Sequence, residues 1–166
     1  MTYKDIIEPF DIIIIYNPKS WLHKMIYKVT EYKAGHVALY LPGGNIAQAV
    51  STGVCIKDLK DYDSNYKIYL ARYGNFNSEI YRSLSISVEN SLGKKYSYFQ
   101  LIAMLFQYIF HINRIPDVSK SAMICSEFIA KTFEDADIDI SFKPSWQVTP
   151  ADIYNSKKLT IIETEA

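Results

Sequence analysis

The sequence predicts an α+β fold, with a mainly antiparallel sheet packed against helices. Three observations point there. The first half is cut into short apolar or alternating runs that stop at Pro, Gly or Asn turn signals, which is strand punctuation. The second half carries longer segments whose apolar residues recur with helical spacing. A last β-branched run closes the chain. At 166 residues, with 49% hydrophobic and 22% charged residues, the composition excludes wholesale disorder and fits one domain, taken as residues 1–166. No internal repeat, low-complexity tract or Pro/Gly/Ser-rich linker divides it.

Phe10 to Tyr16 is an Ile-rich apolar run bounded by Pro9 and Asn17-Pro18, and it reads as a buried strand. Ser20 to Tyr32 follows as an amphipathic helix. Trp21, Leu22, Met25, Ile26 and Val29 form its apolar set, and Ser20 is placed to cap it. His36 to Leu41 and Asn45 to Val50 read as a hairpin around Pro42-Gly43-Gly44, with a further strand at Val54 to Ile56 after Ser51-Thr52-Gly53. Tyr66 to Tyr73 has strand composition. Ser78 to Leu92 reads as a helix ending at Gly93. Ser97 to Phe110 reads as a strongly apolar helix buried in the core, and Ser121 to Phe133 as a third helix. A turn at Pro150-Ala-Asp leads to a closing strand at Leu159 to Glu163.

The charge balance narrows the partners. Lys+Arg and Asp+Glu are 18 each, so the formal net charge is zero. No basic stripe offers a nucleic-acid footprint, and none is expected to bind. The two cysteines, Cys55 and Cys125, are too few for a disulfide framework, and no CxxC or HxxxH spacing suggests zinc. No cofactor and no metal is expected. The N-terminal residues mix charge and Pro where a signal peptide needs an apolar run, and Leu101 to Ile109 falls well short of the roughly 20 residues of a membrane span. The expectation is a soluble, cytoplasmic protein without an integral membrane span. Small size and composition are compatible with a viral or phage source. The sequence carries no signal for an oligomeric state.

Cys125, in Met123-Ile-Cys-Ser-Glu-Phe128, falls in the first turn of a predicted helix, where the macrodipole favours a thiolate. It reads either as a nucleophile or as a small buried hydrophobe. His36, in Ala34-Gly-His-Val-Ala-Leu-Tyr40, stands at the head of a strand. It reads either as the base that a thiol needs or as a strand-end His bonded to backbone. Gln48, on the paired strand, offers a carbonyl to orient the imidazole, or is a polar residue on a sheet face. His23 and His111 read as surface or capping residues, and Cys55 as a packing residue.

The linear order of these pieces resembles the circularly permuted NlpC-type papain-like cysteine hydrolases, the YiiX-like group. The pieces are Asp11 to Ile15, a helix, Gly35-His-Val-Ala-Leu-Tyr40, Ile46-Ala-Gln-Ala49, Gly53-Val54, Gly93-Lys-Lys-Tyr96 and Ile124-Cys-Ser-Glu-Phe128. The resemblance runs from about Phe10 to about Ile153. It implies a papain-like fold in which the His-bearing strands precede the Cys-bearing helix. It implies Cys125 as nucleophile, His36 as general base, and Gln48 where many relatives carry a Glu. Tyr96 falls at the aromatic position ahead of the Cys helix, with Tyr98 as the neighbouring alternative. Tyr96 and Ser126 are the substrate-binding candidates, although Ser126 and Glu127 also suit structural roles at the helix start.

The activity implied is that of a thiol hydrolase or acyltransferase. It would cleave an amide or ester bond in a small peptide, a cell-wall-type peptide or a lipid-acyl substrate through a Cys thioester. With a fatty acyl group, the helix Ser97 to Phe110 would line the acyl pocket instead of filling the core. The alternative is a non-catalytic ligand- or lipid-binding module on the same scaffold, since fold does not fix activity. A third option is a structural or interaction protein.

Overall fold

The computed structural model describes residues 3–61, 66–112, 115–117 and 121–164. In chain order these form α1 (Tyr3–Ile6), β1 (Ile12–Tyr16), α2 (Trp21–Thr30), β2 (His36–Leu41), β3 (Asn45–Val50), β4 (Gly53–Asp58), β5 (Lys67–Arg72), α3 (Ser78–Ser91), β6 (Lys95–Tyr96), α4 (Tyr98–Phe110), β7 (Ala122–Met123), α5 (Cys125–Glu134), α6 (Pro150–Tyr154) and β8 (Thr160–Glu163). Short 3₁₀ turns occupy Leu59–Asp61 and Ser145–Gln147. The fold is α+β, as the sequence predicts.

Six strands form one antiparallel sheet in the order β4-β3-β2-β1-β5-β8. β1 lies inside it, between β2 and β5, and all five of its residues are buried. That explains an unbroken Ile run where a strand facing water on one side would alternate. Ile12 and Ile14 join Val37, Leu39, Ala47 and Ala49 beneath Phe128, Ile129 and Phe133 of α5 and Leu84 and Val88 of α3. Ile13 and Ile15 face the other way, with Ala38, Ile46, Ile68 and Leu70. Asp11, fully buried, accepts a two-pronged ion pair from Arg72, with Nε to Oδ1 at 2.8 Å and Nη2 to Oδ2 at 2.7 Å. This clamps the entry of β1 to the end of β5.

Ser20 caps α2, its Oγ accepting the His23 N–H at 3.3 Å. Of the apolar set predicted for α2, the side chains of Leu22 and Val29 lie outside the described residues.

Three expectations are corrected. The helix predicted from Ser121 begins only at Cys125, because Ala122 and Met123 pair in parallel with Lys95 and Tyr96. The Pro150-Ala-Asp turn is a short helix, opened by Thr149, whose Oγ1 accepts the Asp152 N–H at 3.1 Å. The largest departure is α4, which is not a core helix. Among its described side chains only Gln100 and Met104 are buried, while Phe99, Ile102, Phe106, Ile109 and Phe110 are each at least half exposed. Among the described residues, no helix is long and apolar enough to cross a membrane.

Candidate active site

The cysteine is positioned from two sides. β7 delivers the chain into α5 so that Cys125 is the first helical residue. Ile124, at the cap position, has no side-chain acceptor. The Glu127 carboxylate reaches back instead and accepts the Ile124 N–H at 3.3 Å. Ser126 is fully buried, and its Oγ donates to the Val148 carbonyl at 2.6 Å, which ties the start of α5 to the loop after the second 3₁₀ turn. Cys125 itself is 7% exposed. The backbone N–H groups of Val37 and Ser126 lie near enough to its sulfur to favour the thiolate. Burial pushes the thiol pKa up, and those N–H groups act against it.

The Val37 contact brings the thiol to the head of β2, one residue from His36. The β2–β3 ladder runs from Leu39↔Ala47 to Leu41↔Asn45, and Gln48 continues β3 as the partner of Cys55 on β4. His36 and Gln48 therefore flank the end of that ladder. Their side chains meet there, with His36 Nε2 and Gln48 Oε1 2.8 Å apart. A carbonyl oxygen can only accept, so Nε2 carries the proton and Nδ1 is the basic nitrogen. Burial pulls the half-buried His36 below its ordinary 6.5, and the Gln48 hydrogen bond works in the opposite direction. Burial thus favours the uncharged form of each group, the thiol of Cys125 and the neutral imidazole of His36.

Tyr96 reaches the site because β6 and β7 run side by side, with Tyr96 opposite Met123. Burial, then the neighbouring Cys125 and Tyr98, raise its hydroxyl pKa, so it remains protonated and able to donate. The short β6 is held by Gly53. Val54 N–H donates to the Lys94 carbonyl at 2.9 Å, and a Cβ on Gly53 would stand 2.5 Å from that oxygen. Gly53 also has φ 111°, a conformation glycine supplies without strain.

The space is a cleft in two parts. The outer part, ≈ 540 Å³, is lined by Asn17, Gln48, Lys57, Tyr66 and Tyr98 among others. The inner chamber, ≈ 90 Å³, is lined by Ile26, Met104, Leu105, Ile124, Cys125 and Ser126 among others. His23, His36, Tyr96 and Leu101 line both parts and form the neck between them. Five residues singled out from the sequence, namely Cys125, His36, Gln48, Tyr96 and Ser126, thus converge on one cleft. Cys55 is half-buried, with a free thiol. His111 ends α4 in a left-handed backbone conformation.

His23 is the correction. It is no surface residue, since it stands in the neck beside His36. Its Nδ1 accepts the Asn17 N–H at 2.9 Å, which leaves the proton on Nε2. Burial, with His36 nearby, lowers its pKa to about 4, so the ring is neutral at pH 7. Gly35 makes room for it, because a Cβ there would stand 2.3 Å from His23 Cγ. The signal was present in the sequence. His23, Ile26 and Thr30 recur at helical spacing, and all three face the inner chamber.

No protein-family model matches the chain, and no curated protein matches it. Among solved structures it is similar to the metalloprotein YiiX of Escherichia coli O157:H7, a DUF1105 protein. The TM-score is 0.71 and the identity 18%, over 95% of this chain and 97% of that one. At that identity the likeness is one of fold. YiiX is called a metalloprotein; among the described residues of this chain, no three His, Cys, Asp or Glu side chains converge in a way that fits a metal ion. The chain has a YiiX-like fold whose cleft gathers a cysteine, two histidines, a glutamine and a tyrosine.

Proposed function

We propose that this chain is a thiol hydrolase or acyltransferase of the circularly permuted NlpC-type papain-like kind. It would act on an amide or ester carbonyl of a small peptide, amide or lipid-acyl substrate. The observation that carries the reading is the junction of α5 with β2. The Val37 N–H lies near enough to the Cys125 sulfur to favour its thiolate, and His36, the residue before Val37, lines the same chamber with its tautomer fixed by Gln48.

In this reading His36 Nδ1 takes the Cys125 proton as the sulfur attacks the carbonyl carbon. The C–S bond forms and the carbonyl π pair moves to oxygen. The imidazolium then protonates the departing amine or alcohol as its bond to carbon breaks, leaving a thioester on Cys125. Water, or another acyl acceptor, gives a proton to His36 and attacks the thioester. The C–S bond breaks, the Cys125 sulfur takes that proton back from His36, and the acid or the new ester or amide is released. Gln48 holds the ring but brings no negative charge to the imidazolium. The oxyanion needs donors in a dry neck. The Cys125 N–H is one. The second is the Nε2–H of His23, a neutral ring whose other nitrogen is already occupied, with the Tyr96 hydroxyl beside it. In this reading both groups start uncharged, and the proton moves as the sulfur attacks.

The alternative, a non-catalytic binding module, is favoured by one observation: burial holds Cys125 as a thiol in a chamber of only ≈ 90 Å³. Intact mass and rate measurements separate the two. With p-nitrophenyl butyrate, the expected outcome is turnover and an acyl adduct on Cys125, both lost in Cys125→Ala. Iodoacetamide is expected to alkylate the wild type faster than His36→Ala at neutral pH. Equal alkylation of the two, with no adduct from the ester, gives the fold to a binder.

A further inference from the structure

We infer that the α4 side of the cleft is a docking surface for an anionic phospholipid membrane. The inference stands independently of the chemistry assigned to Cys125. α4 contains no charged residue. Phe99, Ile102, Phe106 and Ile109 follow one another at spacings of three and four, which places them on one stripe of the helix. They are 78%, 50%, 52% and 57% exposed, and Phe110 beside them is 62% exposed. Large apolar side chains are ordinarily scattered singly on a surface, so a continuous stripe of this kind marks an interaction site.

Charge selects the partner. The chain as a whole is neutral, with 18 basic and 18 acidic side chains. Around this face it is not. Residues 17–31, which include α2 and its caps, hold Lys19, Lys24 and Lys28 against one acid, Glu31 at the C-cap. Residues 93–112, which include α4, hold Lys94 and Lys95 and no acid. Lys19, Lys24, Lys28 and Lys95 are exposed. α2 packs against α4 and adds Trp21, 73% exposed, to the apolar residues. A second copy of this chain would set these lysines against one another across a symmetric contact. A bilayer carrying acidic headgroups satisfies both halves of the surface. Its acyl boundary takes the Phe and Ile stripe, its interface suits Trp21, and its phosphates and carboxylates meet the lysines. Attachment of this kind lies on the membrane and needs no spanning helix. The opposite side of α4, through Leu101, Met104 and Leu105, lines the cleft, so docking sets the cleft close above the lipid.

Vesicle co-sedimentation of the full chain tests this. Vesicles of phosphatidylcholine with about one-third phosphatidylserine are expected to bind it at least about ten-fold better than phosphatidylcholine alone, and binding is expected to weaken as salt rises. Lys24→Gln with Lys28→Gln is expected to lower binding to the anionic vesicles by about thirty-fold. Phe99→Ser with Phe106→Ser is expected to abolish it. The far-ultraviolet circular dichroism and melting temperature of both variants, measured alongside, confirm that the fold is kept. Wild-type protein that stays in the supernatant overturns the inference. So does binding that the folded Phe variant retains. A concentration-dependent dimer that the Phe variant dissociates gives the face to a second copy and overturns it equally.

Discussion

α4 and α5 follow one another in the chain and reverse what their compositions suggest. Tyr98–Phe110 has no charged residue, yet most of its described side chains meet solvent. Cys125–Glu134 carries Ser, Glu, Lys and Thr, yet eight of its residues are buried, Ser126, Glu127 and Thr132 among them. The difference is one of position. α5 lies over β2 and β3, with α3 and the Ser145–Gln147 turn packed around it, so it is enclosed. Its polar groups are satisfied internally: Ser126 by Val148, Thr132 by the Phe128 carbonyl at 2.8 Å, and Glu127 by the Ile124 N–H. α4 touches α2 and, through Met104, forms a small cluster with Ile115 and Ile124. Apolar composition states what a helix has available to bury, and the architecture decides whether it is buried.

The sharpest test of that contrast uses one substitution on each helix. Phe128→Ala removes a fully buried ring from beneath the sheet and is expected to cost about 3–5 kcal/mol in urea denaturation. Phe106→Ala, at a site 52% exposed, is expected to stay within about 0.5 kcal/mol of wild type, since Ala is also the better helix former. Comparable losses at the two positions would mean that α4 is covered in solution.

The contrast also explains how much was legible in the sequence. The β1 run, the β2–β3 hairpin and the position of Cys125 at the entry to a helix follow from local pattern. β6 and β7 do not, because two-residue strands have no period to detect. Ser121 to Ile124 is compatible with a helix, and its pairing with Lys95 and Tyr96 is a long-range event that overrides propensity. Four of the five cleft residues sit on elements whose type the pattern set. Tyr96 sits on one it did not, and the family resemblance supplied its place. His23 reads from sequence as a surface or capping residue because a His on an amphipathic helix usually faces water. Gly35, which gives its ring room, lies on the far side of the α2–β2 turn.

That histidine gives the second test, which separates the proposed role of α5 as nucleophile carrier from the proposed role of α2 as donor. Alkylation by iodoacetamide requires a deprotonated sulfur but builds no oxyanion, whereas ester cleavage requires both. His23→Asn keeps an oxygen where Nδ1 accepts the Asn17 N–H and removes the Nε2 donor. It is expected to lower kcat for p-nitrophenyl butyrate by about 10²–10³-fold and to leave the alkylation rate of Cys125 unchanged. A matching fall in both rates would make His23 a residue that positions the thiol or His36. No fall in kcat would remove it from the chemistry.

The smallest expected effect concerns pH, and it joins the enclosed start of α5 to the neck at α2. Burial raises Glu127 to about 7 from an ordinary 4.5, with Asp117 adding to the rise and the Ile124 N–H and Lys94 opposing it. The folded chain therefore holds a proton that the unfolded chain releases, and stability falls as pH climbs from 4.5 to 7. His23 runs the other way. Its folded pKa of about 4 lies below the ordinary 6.5, so its contribution is full above 6.5 and is lost as pH falls through 4. His36, whose folded pKa also lies below 6.5, adds to the His23 slope. The fall contributed by Glu127 between pH 4.5 and 6.5 is therefore opposed by two histidines, and the wild-type profile follows their sum. Glu127→Gln retains a carbonyl to accept the Ile124 N–H and cannot titrate. In urea denaturation at a series of pH values, this variant is expected to exceed the wild type above pH 7. It is also expected to show the combined slope of His23 and His36, rising with pH up to 6.5 and then level. A variant that tracks the wild type at every pH would show that Glu127 stays ionised and solvated, and that the start of α5 is open rather than enclosed.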